Sequence, residues 1–381
     1  MQIPLIRKAK SKGIYTIAAD MNNDAPGKFE ADEFHPISTN NTNELLKLAC
    51  QEDVSGVITN SDYPMRTTSS ISQELGLIGL SPVTALIATN KLLLREILSE
   101  SGILSPKFAK ITKEADINYQ VENIGLPFIL KPVDSSASRG VFRIDHNEEI
   151  KLAYEQSLLS SKNQILIMEQ YITGNEYSVE SITIKGKTKM IAITEKSTTG
   201  APHYVELGHI IPANLSHDRY EQIENLIKSA LYAIGFSNGV AHTELKINDE
   251  GIFIIEIGPR LGGDYITSDL VPLATGYDML GNNINLILDE PIIEEISINR
   301  FAGIVFFTAP SGKLMEIRGL EFLRTNKKIV RYEFFVGIGD IVSQLRSSLD
   351  RVGYAIVVDD SYDAFCSMLN ELKKNVSFDI N

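Results

Sequence analysis

The chain is expected to fold as a mixed α/β (α+β) protein of two or three domains, and three observations carry that expectation. Short apolar strands alternate with helical stretches through the first 88 residues. Longer strands of alternating or continuous apolar character dominate the middle of the chain. The last stretch, 291–381, mixes strand-like runs with one helix. A length of 381 residues supports real cores in each part, and 43% hydrophobic with 22% charged residues is a soluble, globular composition.

Residues 1–88 read as a small parallel α/β unit. A basic helix through Ile3–Gly13 leads into the strand Ile14–Asp20 and then the turn-rich Asn22-Asn23-Asp24-Ala25-Pro26-Gly27. A helix near Asn43–Gln51 precedes a short apolar strand, Gly56-Val57-Ile58-Thr59. No G-x-G-x-x-G occurs, and the unit opens on a helix where a strand and a glycine turn usually come first. Either that first strand is missing from the chain as given, or the domain is shortened.

Residues 89–290 form the second expected domain. Asn90 is the N-cap candidate of a helix over 90–99. A compact lobe follows at about 111–175, then longer strands, a hairpin over 240–263 and a helix after Thr275-Gly276-Tyr277. The third domain, 291–381, carries strand-like runs at Phe301–Thr308 and Tyr354–Val358 and a helix from Ser361 to about Lys374.

Composition excludes several classes. A net charge of −13 argues against a general nucleic-acid or anionic-membrane binder, though not against a local basic pocket. Cys50 and Cys366 lie far apart without metal-type spacing, so neither a disulfide framework nor a zinc site is expected. No apolar run approaches the roughly 18–20 residues of a membrane span. With no signal-peptide pattern at the N-terminus, a reduced cytoplasmic enzyme is the expectation.

The chemistry centres on the hairpin. Val240–Asn248 alternates as a half-buried strand and Ile252–Ile257 is apolar enough to be its partner, with Gly251 closing a three-residue loop over 249–251. That loop sets Glu244 opposite Glu256, and like charges opposed across a ladder are destabilising. A divalent cation between them removes the penalty, and magnesium suits one or two carboxylates plus substrate phosphates. Arg260, just past the strand end, aims a fixed cation at the same place. A polar surface hairpin has the same local pattern, and a register one residue different would separate the carboxylates onto opposite faces.

Other segments supply phosphate-binding character. The buried-type strand Pro127–Pro132 carries Lys131 near its end, followed by the small-residue loop Asp134-Ser135-Ser136-Ala137-Ser138-Arg139-Gly140. Small side chains let backbone N–H groups and hydroxyls approach phosphate oxygens closely. Lys91 heads its helix, where it opposes the helix dipole. The run Ile165–Glu180 reads as strand, turn and strand, a connection whose edge backbone can pair with a purine while a nearby carboxylate holds ribose hydroxyls.

Taken together and in this order, Lys91, Lys131, the 135–140 loop, 169–176, Glu244, Glu256 and Arg260 resemble the ATP-grasp superfamily across nearly the whole chain. The resemblance implies an ATP-grasp fold behind a preceding α/β domain, with a small C-terminal α+β domain. It implies that Lys91 and Lys131 bind phosphate, that Ser135, Ser136, Ser138 and Gly140 belong to the loop closing over it, and that Glu169, Gln170 and Ile172 form the adenine hinge. Glu176 then holds ribose, Glu244 and Glu256 hold magnesium (manganese being possible in its place), and Arg260 steadies the transferred phosphoryl group.

Two departures refine this. Many relatives place asparagine two positions after the second metal glutamate, where this chain has Gly258, leaving Glu256 or water to take its role. After the arginine comes Leu261-Gly262-Gly263-Asp264 rather than the Q-V-E-H run of biotin-carboxylase-type members. That run, with Glu206-Leu207-Gly208-His209 upstream, is closer to ligases joining amino acids or other carboxylates to amines. The implied activity is an ADP-forming carboxylate–amine ligase working on small-molecule acid and amine through an acyl phosphate, with backbone at Gly263 near the reacting carboxylate. His209 is expected on a loop facing the acceptor pocket, where it would transfer protons; a structural histidine bonded to backbone is the other reading. The segment Thr267–Asp278 is also similar to carbamoyl-phosphate synthetase large subunits, so another phosphoryl-transferring enzyme or a non-catalytic ATP-binding regulator are the alternatives. A homodimer is the commonest assembly for such a chain.

Overall fold

The computed structural model describes residues 2–135, 139–201, 203–296 and 300–381, so Ser136 and Ser138 of the expected phosphate loop lie outside the described residues. No helix among the described residues is long and apolar enough to cross a membrane.

In the N-terminal unit, α1 (Ile3–Ser11), β1 (Ile17–Ala19), β2 (Glu33–His35), α2 (Thr42–Gln51) and α3 (Met65–Glu74) follow in order. Asn41 caps α2 by accepting from the Glu44 N–H at 3.3 Å, while its own amide donates to the Glu44 carboxylate at 2.6 Å. The strand expected over 14–20 contracts to three residues, because Thr16 is held by the Asp32 carboxylate at 2.9 Å in a loop geometry. β1 and β2 pair in parallel. The strand expected at Gly56–Thr59 does not form. Its backbone finds no hydrogen-bond partner among the described residues, and an apolar run becomes a strand only when a ladder pairs with it. Val57–Thr59 and β1 instead line a mostly apolar cavity of about 600 Å³ together with α1 and α3.

Next come α4 (Pro82–Ala88) and α5 (Lys91–Glu100). Asn90 caps α5 as expected, its side-chain oxygen accepting from Leu92 and Leu93 N–H. The compact lobe contains β3 (Phe108–Ile111), α6 (Glu114–Ile124), β4 (Phe128–Pro132), β5 (Phe142–Ile144), α7 (Ile150–Leu159) and β6 (Leu166–Gln170). Its antiparallel sheet has the order β3-β6-β4-β5, and Ile111, Phe128, Leu130, Ile144 and Met168 form its separate core with the two helices.

The body is built from β7 (Asn175–Ile184), β8 (Lys187–Thr198), β9 (Glu206–Ile211), α8 (His217–Ala233), β10 (Gly239–Asn248) and β11 (Gly251–Gly258). α9 (Val271–Thr275) and α10 (Met279–Ile287) follow. The C-terminal part adds β12 (Phe301–Phe307), β13 (Gly312–Arg318), α11 (Leu320–Thr325), β14 (Ile329–Phe334), β15 (Ile341–Val342), β16 (Gly353–Asp359), α12 (Tyr362–Asn375) and β17 (Ser377–Ile380). One eight-stranded sheet runs β11-β10-β7-β8-β9-β12-β16-β14. Strands on both sides of residue 290 therefore share a sheet, joined where Ala302–Val305 pairs with Gly208–Ile211.

The hairpin register holds at the glutamates for a different reason from the expected one. Asn248 pairs with Gly251, so the loop has two residues, and the Asn248 side-chain oxygen accepts from the Glu250 and Gly251 N–H groups. A two-residue loop alone would put Glu244 out of step with Glu256. A bulge at Ile255 supplies the compensating residue, so Glu244 still faces Glu256. Arg95, buried in α5, donates to the Ile255 carbonyl at 2.6 Å and thereby satisfies the bulge. Its Nε lies 3.0 Å from Glu169 Oε1 in β6, an ion pair whose angle is not that of a hydrogen bond. Arg95→Met should lower stability by about 1–3 kcal/mol, because the Ile255 carbonyl loses its buried donor while Glu169 keeps Lys131. Chemical denaturation measures this, and a loss below about 1 kcal/mol would mean that the bulge is held by other contacts.

Candidate active site

Three cations converge where α5 meets the small sheet. Lys91 and Arg95 stand four residues apart on one face of α5, and Lys131 ends β4. The Lys91 ammonium donates to the Ser135 carbonyl at 2.5 Å, while its backbone N–H bonds Val133. The Lys131 ammonium lies 2.7 Å from Glu169 Oε2. Burial disfavours the Glu169 anion, but Arg95 and Lys131 outweigh it and hold its carboxyl below the ordinary range. Burial pushes the Lys131 amine down, and the neighbouring Arg95 and Lys91 charges add to that. One carboxylate thus answers three cations, leaving a positive excess in an otherwise acidic chain. At the start of the loop, Ser135 donates its hydroxyl to the Arg139 carbonyl at 3.0 Å. Gly140 adopts φ +71°, and a Cβ there would press on Ser160 and Pro132.

The connection after β6 is open where an adenine edge would need it. Gln170 and Tyr171 spend their N–H groups on Lys107 and Pro127 carbonyls, whereas the backbone of Ile172 has no partner among the described residues. The Glu169 side chain is committed to Arg95 and Lys131, and its backbone lies in the sheet between Phe108 and Ile129, so the open group at this connection is Ile172 rather than Glu169. Glu176 opens β7 and pairs with Lys246 at 3.0 Å. Beside it, Tyr171 is covered by the Arg143 guanidinium at 4.3 Å and the Lys246 ammonium at 5.0 Å.

Across from these cations, Glu244 and Glu256 face each other on the hairpin. Lys196 in β8 binds Glu244 at 2.8 Å and Glu206 at 2.6 Å. Lys196 drives the Glu244 carboxyl well below its usual value. Glu256 makes no ion pair or hydrogen bond among the described residues. Arg260 is clamped by Asp62 of the N-terminal unit, Nε to Oδ1 at 2.6 Å and Nη2 to Oδ2 at 3.0 Å, and Nη1 donates to Leu261 O at 3.0 Å. Burial disfavours its cation, but Asp62, with Glu256 and Glu244 behind it, raises the pKa further. Of the five guanidinium donors these bonds use three, which leaves two for a ligand.

His209 corrects an expectation. It lies within β9, not on a loop, and is fully buried with its ring edge-on to Phe306. Neither ring nitrogen makes a hydrogen bond among the described residues, although Nε2 stands 3.4 Å from Glu206 Oε2 and 4.0 Å from Asp264 Oδ2. Burial disfavours its cation, yet Asp264 and Glu206 hold its pKa above the ordinary value. Glu206, His209 and Asp264 could offer three atoms to a metal, all within 4.8 Å of one another. Lys196 and a forked Arg351 already neutralise the two carboxylates, so the charge balance there does not call for an ion. His242, Nδ1 to Glu180 Oε1 at 2.6 Å, is also buried; desolvation opposes its cation, but Glu180 and Glu244 raise its pKa to about 9. That pair packs beneath Gly262, where a Cβ would come within 2.8 Å of the ring.

Several of these residues are silent in the sequence. Arg95 had one available signal, its spacing of four from Lys91 within an apolar helix. Lys196, Asp62 and Arg351 had none, because each acts across a long sequence separation. The lysine shared by two carboxylates yields a test. Lys196→Met leaves Glu206 and Glu244 uncompensated, so stability at neutral pH should fall, toward the lower end of roughly 3–5 kcal/mol because both glutamates keep some solvent contact. Their depressed pKa values mean that the wild-type stabilisation is full above the ordinary carboxylate pKa and fades as pH falls through the depressed values. In the variant, without that depression, the glutamates protonate at the ordinary carboxylate pKa in both states, so its Tm deficit should hold from pH 7.5 to about pH 5 and narrow only below about pH 4.5. A pH-independent deficit would show that packing rather than charge was lost.

Residues 124–269 match the family described as ATP-grasp domain, and residues 305–381 match L-amino acid ligase C-terminal domain 2. An L-arginine-specific L-amino acid ligase of Bacillus subtilis is 24% identical over 317 residues, covering 80% of this chain and 74% of the relative. A formate-dependent phosphoribosylglycinamide formyltransferase of Prochlorococcus marinus is 27% identical over 261 residues, 66% of this chain and 65% of its own length. The chain thus spans just under two thirds of that relative. The crystal structure of an L-amino acid ligase from Bacillus licheniformis superposes with a TM-score of 0.86 at 24% identity, covering 100% of this chain and 96% of that one. The contacts of Arg95 with both the small sheet and the hairpin, and the strands beyond residue 290 that complete the central sheet, agree with both matches: the chain has the ATP-grasp fold.

Proposed function

We propose that the protein is an ATP-dependent, ADP-forming carboxylate–amine ligase that activates an amino acid or other small carboxylate as an acyl phosphate for attack by an amine. The observation that carries this reading is the joining of two groups by Arg95: it shares Glu169 with Lys131, and it bonds the Ile255 carbonyl beside Glu256, which opposes Glu244 in the field of Arg260. Named relatives that join acids to amines support it.

In this reading Lys91 and Lys131 neutralise nucleotide phosphates, and the loop carrying Ser135 and Gly140, with Ser136 and Ser138, closes over them. The unpartnered backbone of Ile172, with the Gln170 side chain, meets adenine, Glu169 orders the cations behind it, and Glu176 meets ribose. Glu244 and Glu256 fit magnesium, with manganese as a substitute: both are oxygen donors, they oppose each other across a ladder, and Glu256 has no competing ion pair among the described residues. The metal would supply charge neutralisation between nucleotide phosphates and the protein. Gly258 offers no third side chain, although a Cβ there would meet nothing closer than 3.5 Å, so size does not dictate the glycine.

Arg260 brings its two spare donors to the phosphoryl oxygens and the reacting carboxylate, its orientation fixed by the Asp62 fork. Main-chain groups at Gly262 and Gly263 lie next to it. His209, buried behind Glu206 and Asp264, acts on the acceptor side by orienting those carboxylates toward the amine. The closing lobe excludes water from the acyl phosphate.

Adding ATP, magnesium and a matrix of amino acids, small carboxylates and amines, with ADP release and product masses as readouts, tests the reaction. Hydroxylamine should trap a hydroxamate, which requires an activated carboxylate; ADP release without hydroxamate would favour another phosphoryl transfer. Arg260→Ala should lower turnover by about 10²–10³-fold with only modest loss of ATP binding. Near-normal turnover would sink the assignment. Glu256→Gln should abolish the magnesium-dependent rate, and an unchanged rate would remove the metal from the hairpin.

A further inference from the structure

The turn after Arg260 is built in an unfavourable backbone conformation. Asp264 and Tyr265 are consecutive non-glycine residues with φ +47° and +65°, a region that side chains rarely occupy. Such geometry persists only when surrounding contacts over-determine it. Here most of those contacts come from the C-terminal domain. Arg351 forks onto Asp264, Nη1 to Oδ2 at 2.9 Å and Nη2 to Oδ1 at 3.1 Å. Tyr265 stacks on Tyr354 with ring centroids 4.4 Å apart, and the Arg331 guanidinium covers both rings at 5.3 and 5.6 Å. Arg331 also bonds Asp269 at 3.2 Å.

Arg351 is itself immobilised. Its guanidinium lies 3.6 Å from the Phe306 ring centroid, its Nε donates to the Ser348 carbonyl at 2.8 Å, and the residue is buried. The turn it grips is short and stiff. Ile266 N–H bonds Gly263 O at 2.9 Å, and the Thr267 hydroxyl bonds Gly262 O at 2.7 Å. Any shift of Asp264 therefore carries Gly262 and Gly263 with it, two and three residues from Arg260. It also frees a carboxylate to move onto His209, now 4.0 Å away.

We propose that Arg351 is a positioning residue for the ligation step: through Asp264 it locks the 262–265 turn in the conformation that places the Gly262–Gly263 backbone at the reacting carboxylate. The C-terminal domain thereby completes the site rather than merely flanking it. This inference rests on the ligase reading for its kinetic consequence, but not for its structural one.

The test compares wild type with Arg351→Gln, Arg351→Lys and Asp264→Asn, the last as an independent cut of the same contact should Arg351→Gln fold poorly. With the acid–amine pair that gives the highest wild-type ADP release, kcat should fall by about 30–100-fold in Arg351→Gln and Asp264→Asn, with the KM for ATP changed less than about threefold. Arg351→Lys, which keeps charge but not the fork, should fall between. Hydrogen exchange at the amides of 263–267 should accelerate at least about tenfold while those of α12 stay at wild-type rates. Wild-type kcat in Arg351→Gln would overturn the proposal, as would acceleration spread equally over α12, which would mark general loosening of the domain. If wild type releases no ADP with any pair, the ligase reading fails, and exchange alone decides: wild-type protection of 263–267 in Arg351→Gln would refute the lock.

Discussion

Arg95 is the contact on which the rest of the site depends. A guanidinium buried between two sheets cannot be solvated, so its partners must be present and correctly placed. One partner is Glu169 of the small sheet and the other is the Ile255 carbonyl in the hairpin. The first fixes where Lys131 points, since Lys131 shares Glu169. The second stabilises the bulge that sets Glu256 opposite Glu244. Lys91, one helical turn before Arg95, is placed by the same helix. Cationic and anionic halves of the site are therefore registered to each other through one side chain.

The site also lies at a seam of three bodies. Asp62 reaches it from the N-terminal unit, Arg351 and Tyr354 from the C-terminal part, and the hairpin from the central sheet. Each contribution restrains a group whose own backbone would leave it free. Arg260 follows a strand end, and without Asp62 its long side chain would lose considerable rotamer entropy to reach any one geometry. The turn at 264–265 would relax from its positive φ without support. In a chain of net charge −13, Lys196 neutralises two carboxylates at once, while Glu256 keeps no ion-pair partner among the described residues.

Prediction and structure part at instructive places. The opposition of Glu244 and Glu256 is present, but the loop proposed to create it is one residue shorter, and a bulge makes up the difference. Pattern alone cannot see a bulge, because the extra residue, Ile255, merely lengthens the apolar run that begins at Ile252. Val57–Thr59 looks like a strand and has no ladder, since strand formation needs a partner that local composition does not specify. His209 sits in a strand because Gly208 and Ile210 pair across to β12, nearly a hundred residues later. Helix starts were legible at two local caps, Asn90 and Ser361, whose side chains bond N–H groups two or three residues on.

By itself the sequence determined the fold class, the cap at Asn90, the burial of the strand carrying Lys131, and the residue types that the proposed phosphate- and cation-binding site draws on. Those follow from interactions spanning a few residues, whose physics is written into period, propensity and spacing. Only the tertiary structure decided that Arg95 joins the two halves, that Asp62 clamps Arg260, that Lys196 shares itself between Glu206 and Glu244, and that Arg351 holds Asp264. Each of those pairs links residues far apart in the chain, 48 positions for Lys196 and Glu244 and 198 for Asp62 and Arg260. Electrostatic partnership depends on distance in space, and the chain sets that distance only once its sheets have formed.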